Sequence, residues 1–377
     1  MTDRSFTSVS LRRVNRRSIL RSAAALTSAS IVAKANSAWA QERLAGSGEV
    51  VVFSYGGSFT ENIRRYVYEP FTKVTGIKVV DVVGDTAEPQ IKAMSRAGRI
   101  DWDVAYVDTF EQLRGTGIFE PIDYSLWDKE SIEGTPQHAR LEEAVSIFGV
   151  ALLLAYDERA FPKGGPQNWA DFWDIKKFPQ PRGFLGPQAA RNLEFALLAD
   201  GVAKTDIWPL TDDKVDRALK KLDEIKPHIA KWWSAGGEAP QLLINREYAM
   251  TSAYDGRILA AIRQGAPIKM VWDGAALGFV RAAVLKGGPN TANAQKFIAF
   301  LNRAQVAAAF TQGTGYPAPN TNQLKYLPPD LIPLLSIAPE NAWKCIITDN
   351  AWLLAKRPDG KTNNDHLQER WLAWRAK

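Results

Sequence analysis

The sequence predicts an α/β protein in which two parallel-sheet units share one chain. Short apolar runs alternate with amphipathic segments between residues 49 and 116, and a second alternation of this kind begins near residue 168. Strands that alternate with helices are typical of parallel sheets covered by helices on both faces. The 337 residues after position 40 are too many for one typical core, so we expect two domains.

The first unit starts with an apolar run at Glu49, which predicts a buried strand that ends in a glycine-rich loop. Apolar residues at helical spacing predict a helix over 61–75, capped by Thr60 and ended by Gly76. The alternation then predicts a strand at 77–83, a helix at 89–97, a strand at 102–107 and a helix at 109–116.

The second unit follows the same order. Its predicted elements are a short helix at 168–173, a strand at 182–186, helices at 189–198 and 214–225, a strand at 248–254, a helix at 256–264, strands at 268–272 and 282–285, and helices at 291–302 and 305–311. In doubly wound sheets, ligands bind beyond the carboxyl ends of the strands, so two facing units would hold a ligand between them.

Residues 1–40 have the composition of a cleavable export signal. Six arginines precede or enter an apolar stretch at 22–33, which is too short to span a membrane. Ala38 and Ala40 form the small-residue pattern of a signal peptidase site, so we expect cleavage after Ala40. The pair Arg16-Arg17 resembles the twin-arginine signal, and an ordinary secretory signal is the alternative. Both predict a periplasmic protein.

Charge and chemistry exclude several classes of function. The chain has 47 basic and 41 acidic residues, but residues 1–40 hold seven of the basic and one of the acidic ones. The remaining chain is neutral and gives no sign of binding nucleic acid or a membrane. Its three histidines lack metal-ligand spacing, and Cys345 has no partner nearby, so we expect no cofactor and no enzyme activity.

Several segments taken together resemble one protein family. They are Ser54-Tyr55-Gly56-Gly57-Ser58-Phe59, the segment 69–79, Asp101-Trp102-Asp103-Val104, the segment 117–123, Asn168-Trp169-Ala170-Asp171-Phe172-Trp173-Asp174, Lys286-Gly287-Gly288-Pro289-Asn290 and Gly315-Tyr316-Pro317-Ala318-Pro319-Asn320. In this order they resemble the spermidine/putrescine-binding family of periplasmic receptors for ABC importers.

The resemblance implies a periplasmic binding protein fold of type II, with two doubly wound α/β lobes joined by a hinge. We expect lobe one at 41–152 plus about 282–315, and lobe two at 153–281 plus about 316–377. It also implies that a monomer closes on its ligand and docks on an inner-membrane ABC permease with a cytoplasmic ATPase. No nucleic acid partner is expected.

The resemblance places the ligand-binding residues in the loops after the strands. An amine needs carboxylates and aromatic faces, and the candidates are Ser54, Tyr55, Gly56, Gly57, Asp85, Asp108, Thr109, Gln188, Arg191, Trp233, Tyr254, Asp255, Phe279 and Arg281. Asp108 could equally cap a following helix. Tyr254 could be a core aromatic, and at most one of Trp232 and Trp233 should face a ligand. Tyr316 is expected to be a structural turn.

Two arginines depart from the family pattern. Polyamine receptors carry acids in the segment that here reads Gln188 to Asn192, and an aspartate at or beside Arg281. An arginine binds a carboxylate through two parallel hydrogen bonds, so we hypothesise a zwitterionic ligand with its amine at Asp108 or Asp255 and its carboxylate at Arg281 or Arg191. Ion pairs on the outer face are the alternative for the arginines. Other classes left open are a receptor for ferric iron, sulfate, phosphate or thiamine and, more remotely, a secreted enzyme.

Overall fold

Ten strands form one mixed sheet in the computed structural model, which describes residues 43–84 and 86–377. The predicted signal at 1–40 lies outside the described residues. Residues 46–377 pack as one unit. Its strands are β1 (Glu49–Tyr55), β2 (Lys78–Gly84), β3 (Val104–Val107), β4 (Phe119–Glu120), β5 (Val145–Asp157), β6 (Arg182–Leu185), β7 (Ile229–Trp233), β8 (Met250–Tyr254), β9 (Ile268–Leu285) and β10 (Ile346–Ile347).

The strands are ordered β2-β1-β3-β9-β5-β8-β6-β7, and β4 and β10 also pair with β9. At one end β1 is parallel to both β2 and β3, and at the other end β6 is parallel to both β7 and β8. Between these ends β9 and β5 run antiparallel to each other and to their outer neighbours β3 and β8. The α/β class predicted from the sequence is confirmed.

Helices connect the strands. They are α1 (Gly57–Ile63), α2 (Glu69–Thr75), α3 (Glu88–Ala97), α4 (Lys129–Gly134), α5 (Trp169–Trp173), α6 (Ala189–Ala199), α7 (Asp212–Ile225), α8 (Glu238–Ile244), α9 (Asp255–Arg263), α10 (Thr291–Leu301), α11 (Ala304–Thr314), α12 (Pro339–Ala342), α13 (Asn350–Leu354) and α14 (Asn363–Arg375). Among the described residues, no helix is long and apolar enough to cross a membrane.

Separate hydrophobic clusters lie at the two ends of the sheet. One cluster packs α3 against β1 and β3 and includes Phe53, Ile91, Val107 and Leu285. A larger cluster packs α5, α6 and α14 around β6 and β8, and it reaches Leu277 on β9. The long strands β5 and β9 therefore contribute to both ends. The lobe boundaries given above stay a prediction.

Three predicted elements are wrong in detail. The helix after β1 begins at Gly57 and contains a π-helical segment, Arg64–Tyr68, so Thr60 is inside it and donates to the Tyr55 carbonyl instead of capping it. The helix predicted at 109–116 is a single 3₁₀ turn, Phe110–Gln112. The strands predicted at 268–272 and 282–285 are one continuous strand, β9.

Candidate ligand site at the strand crossing

The two hydrophobic clusters separate at a short stretch of β9. Residues 278–281 are all half-buried, whereas the four residues on either side of them are buried. On β5, Val150 pairs with Gly278 and is likewise half-buried between buried neighbours. This stretch is where side chains from both ends of the sheet can meet a small molecule.

Arg281 and Phe279 extend from the same face of β9 at this crossing. The Arg281 guanidinium lies 5.7 Å from the centre of the Phe279 ring and donates to the Ser146 hydroxyl on β5. Among the described residues, no carboxylate lies within ion-pairing distance of Arg281. Burial lowers the pKa of its guanidinium, and the negative charge of Glu111 opposes that shift. A half-buried arginine without an acidic partner is suited to bind an anionic group.

Asp108 lies close to Arg281 through the sheet register. Val107, the last residue of β3, pairs with Arg281 on β9, and Asp108 follows directly. The Tyr55 hydroxyl, at the end of β1, donates to Asp108 Oδ1 over 2.9 Å. Loss of water contact and the charge of Glu88 raise the pKa of Asp108, whereas the hydrogen bond from Tyr55 lowers it. The backbones of Asp108 and Arg281 are thus close, but neither charge is among the causes that shift the pKa of the other.

Glu88 determines the conformation of this loop, and the sequence analysis missed it. Its Oε1 accepts hydrogen bonds from the Asp108 and Thr109 amides, at 3.0 and 2.8 Å, and from the Thr109 hydroxyl. Thr109 is thus engaged by protein, and Asp108 does not cap the following turn. Among the described residues, the Asp108 carboxylate accepts a hydrogen bond from Tyr55.

Tyr254 lies at the end of β8, on the other side of the crossing. Gln188 Nε2 donates to its hydroxyl over 2.9 Å, which joins the loop after β6 to the loop after β8. The Trp233 ring contacts Tyr254 edge to face, but it is fully buried and its indole donates to Thr251. Trp233 supports Tyr254 from beneath, so the expectation that Trp233 contacts a ligand is not supported.

Arg191 is held by the protein on the opposite face of β9. It donates to the Thr348 hydroxyl and lies 3.7 Å from the fully buried Glu194. A Cβ atom on Gly278 would lie 2.8 Å from Arg191 Nη2. Because adjacent strand residues point to opposite faces, Arg191 covers the Gly278 face, away from Phe279 and Arg281. The two arginines are not placed to share one carboxylate.

Asp255 differs from the expectation that it meets an amine. It is 3% exposed, and its Oδ1 accepts from the Ala151 and Gly256 amides at 3.1 and 2.9 Å. Burial raises the pKa of Asp255 to about 7, and these backbone hydrogen bonds oppose the shift. Asp255 therefore fastens the start of α9 to β5 instead of facing a ligand.

The remaining candidates lie around the loop after β1. Ser54 is buried, and its hydroxyl lies 2.7 Å from that of Thr60, so its role is structural. Gly56 is exposed directly before α1, and Gly57 is the first residue of that helix. Asp85 lies outside the described residues.

Aromatic residues that the sequence analysis did not select line the other face of the crossing. Phe59 contacts Tyr55 and Phe148, with ring centres 5.4 Å apart in both pairs, and Phe148 contacts Tyr316 at 5.9 Å. A Cβ atom on Gly256 would lie 2.5 Å from the Tyr316 ring, so Tyr316 packs onto the start of α9. The Pro317 carbonyl accepts from the Gly149 amide, which ties this loop to β5.

A cavity of about 310 Å³ lies away from this crossing, between α5, α6 and the first half of β9. Its two charged lining residues, Lys204 and Asp273, pair with each other at 2.8 Å. None of the predicted ligand-binding residues lines it, and its charges are already satisfied.

Comparison with known proteins gives consistent matches. Residues 67–330 match the family model described as bacterial extracellular solute-binding protein. The chain is 34% identical over 346 residues to a gamma-aminobutyric acid-binding protein of Pseudomonas aeruginosa, covering 90% of this chain and 94% of that one. It is 24% identical over 289 residues to a spermidine/putrescine-binding periplasmic protein of Escherichia coli, covering 74% and 80%.

A solved structure extends the comparison to the fold. An ABC transporter substrate-binding protein from Bradyrhizobium japonicum is 32% identical and superposes with a TM-score of 0.75, over 87% of this chain and 99% of that one.

Proposed function

The chain belongs to the bacterial extracellular solute-binding protein family, and from that premise we propose that it captures a zwitterionic ω-amino acid, such as γ-aminobutyrate. It is the substrate-binding component of an ABC importer for an amine-like solute and not an enzyme. The ligand carboxylate would bind to Arg281 and the ligand amine to Asp108, with Phe279 against its apolar chain.

One observation carries this proposal: Arg281 is half-buried and forms no ion pair among the described residues, and its strand partner Val107 directly precedes Asp108. Paired antiparallel residues have Cα atoms roughly 5 Å apart, so the backbone of Asp108, one position beyond the pair Val107 and Arg281, lies within reach of a small molecule bound at Arg281. Asp255 and Arg191, the other charged candidates, are already engaged by the backbone and by Glu194.

A polyamine is the second candidate, because spermidine/putrescine-binding proteins are among the relatives. A diamine would bring a second cation towards Arg281, and like charges in a site sheltered from water repel each other. Arg281 therefore favours a ligand that carries a carboxylate over a ligand with amines alone.

A ferric iron site has little support. Tyr68 and Tyr106 do lie side by side, with their hydroxyl oxygens 3.0 Å apart, but both rings are buried in the sheet core. Burial raises the pKa of both hydroxyls well above the usual range, which disfavours the phenolate that binds iron. Among the described residues, no group of three histidine, cysteine or acidic side chains could hold a metal.

The proposal includes the mechanism of capture. Contacts from both ends of the sheet would favour a closed form around the ligand, through bending of β5 and β9 at the crossing. A periplasmic monomer, exported by a cleaved twin-arginine signal, would then present the closed form to a permease driven by an ATPase.

Isothermal titration calorimetry with γ-aminobutyrate, putrescine and spermidine tests the proposal. We expect γ-aminobutyrate to bind and Arg281→Ala to weaken its binding by roughly 30-fold or more, because a sheltered charge pair is lost. Arg281→Lys should recover only part of the affinity, since lysine lacks the two-pronged contact. Arg263→Ala, which removes an exposed arginine at the end of α9, is the matched control. Tight binding of putrescine that survives Arg281→Ala would contradict the zwitterion proposal.

A further inference from the structure

His138 stands over the strand crossing, in a 3₁₀ turn formed by Gln137–Ala139. Its ring centre is 6.0 Å from that of Phe279, and its side chain is exposed. Arg140 fixes the turn, because its Nε donates to the Thr135 carbonyl and its Nη2 to Gln137 Oε1. These hydrogen bonds hold the backbone of the turn that carries the His138 imidazole.

Phe279 brings His138 and Arg281 together, since both side chains lie against its ring. Partial burial and the positive charge of Arg281 lower the pKa of His138, which favours the neutral imidazole in the free protein. Among the described residues, Arg281 is the charged group whose electrostatic effect shifts the pKa of His138. Two acids lie in this region: Glu111 pairs with Arg114 and its charge also acts on Arg281, and Asp108 accepts from Tyr55.

We propose that His138 is a second residue that recognises the ligand carboxylate, and that binding of the carboxylate is coupled to proton uptake by the imidazole. This inference rests on the proposed function, because it requires a carboxylate at Arg281. A carboxylate bound there cancels the positive charge that disfavours the imidazolium ion and adds a negative charge close to it.

The sign of the coupling follows from linkage. The bound form holds its proton more tightly than the free form, so it carries more protons between the two titration midpoints. Proton and ligand then favour each other's binding by the same factor. Affinity for a carboxylate ligand should therefore increase as pH falls through this interval. Protonation of Asp108 at lower pH acts in the opposite direction, so the contribution of His138 is measured against a variant that retains Asp108.

The experiment compares the wild type with His138→Gln, which keeps a polar side chain that does not titrate. Calorimetry with γ-aminobutyrate at pH 7.5, 6.5 and 5.5, in buffers of different ionisation enthalpy, gives the affinity and the protons taken up. We expect the ratio of Kd values, variant to wild type, to rise by about three- to tenfold between pH 7.5 and 5.5. We also expect proton uptake near pH 6.5 in the wild type and less in the variant.

Two controls separate recognition from structure. His228→Gln changes an exposed histidine in the turn Lys226–His228 and should behave as the wild type. Putrescine carries no carboxylate, so His138→Gln should leave its binding unchanged or strengthen it at low pH.

Three outcomes would overturn the inference. If γ-aminobutyrate binds but the Kd ratio is the same at every pH, the proposed function stands and the role of His138 fails. Equal weakening of γ-aminobutyrate and putrescine by His138→Gln would show a merely structural role. Absence of γ-aminobutyrate binding to the wild type at every pH would remove the proposed function and this inference with it.

Discussion

The Tyr55 hydroxyl donates a 2.9 Å hydrogen bond to Asp108 Oδ1 and so joins the carboxyl ends of β1 and β3. These strands are parallel neighbours, and their ends meet at one edge of the sheet. The Asp108 carboxylate therefore has a fixed position and one oxygen already in use. Its other oxygen makes no hydrogen bond within the described residues, and it is the atom that we assign to the ligand amine.

Tyr55→Phe removes this hydrogen bond and keeps the ring. We expect affinity for γ-aminobutyrate to fall by about three- to tenfold, because Asp108 loses its support. The bond from Tyr55 also lowers the pKa of Asp108, so in the variant binding should weaken at a higher pH than in the wild type. Calorimetry from pH 7.5 down to pH 5 measures both effects. An unchanged pH profile would contradict the role given to Tyr55.

Arg191→Ala leaves Glu194 fully buried without its cation. We expect the free energy of unfolding to fall by about 3 kcal/mol, which urea denaturation measures. Burial raises the pKa of Glu194 to about 7 and the charge of Arg191 opposes that shift, so the loss should be larger at pH 8 than at pH 6. Arg217→Ala, which breaks the more exposed pair with Asp200, is the control and should cost less than about 1 kcal/mol.

Asp255→Asn keeps the oxygen that accepts from the Ala151 and Gly256 amides and removes the charge. The pKa of this acid is about 7 in the folded protein and 3.8 in its ordinary state. The folded wild type therefore binds a proton more tightly than the unfolded chain and loses stability as pH rises from about 4 to 7.

Relative to Asp255→Asn, the wild type should lose about 1 to 4 kcal/mol of unfolding free energy over this interval. Urea denaturation at pH 4.5 and pH 7.5 measures the difference, and Asp330→Asn, at an exposed aspartate, controls for the loss of one carboxylate. Parallel pH profiles of wild type and Asp255→Asn would contradict the prediction.

The last helix holds the loop that carries Gln188. The Trp371 indole donates to the Gly186 carbonyl over 2.8 Å, and Gln368 Oε1 accepts from the Ala189 amide. Trp371→Phe removes the indole hydrogen bond from a fully buried site. We expect the free energy of unfolding to fall by about 1 to 3 kcal/mol.

Affinity for γ-aminobutyrate should stay close to that of the wild type in Trp371→Phe, because Gln188 and Tyr254 lie on the Arg191 side of the sheet, away from Arg281. Leu372→Ala changes the neighbouring residue, which is exposed, and should leave both stability and affinity close to those of the wild type. Calorimetry and urea denaturation on the two variants check the comparison.

The residue types at the strand ends were predictable from the sequence, but the hydrogen bonds that those residues form were not. Asp108 and Tyr254 follow or end predicted strands, and periodicity alone locates them there. Asp255 has the same sequence signal, yet the Ala151 amide lies 104 positions away and accounts for its burial. Such long-range partners depend on the tertiary fold and leave no local pattern.

Arg191 shows that a partner can also be missed when it lies close in the sequence. Its partner Glu194 lies three positions further along one helix, a spacing that brings side chains together. Glu194 lies beyond the segment 188–192 in which polyamine receptors carry acids, so the pair was not predicted.

Two strands were predicted where the structure has one strand, β9. Gly274 has a φ of +74° and Gly278 lies four residues later, and glycines of this kind usually mark turns. Here, instead, Gly274 accommodates the Trp169 and Leu198 side chains, and Gly278 accommodates Arg191. Close packing explains Gly278, whereas Gly274 also lies at a register shift between β5 and β9, where its positive φ requires glycine.

The route of β9 also affects how the chain acquires its structure. Val104 pairs with Val284, its partner 180 positions further along the sequence. One edge of β3 therefore stays unpaired until β9 has been synthesised. An exposed strand edge is prone to pair wrongly. Such distant pairings are slow to form, so maturation after synthesis should be gradual, and helper proteins that shield sheet edges should increase the yield.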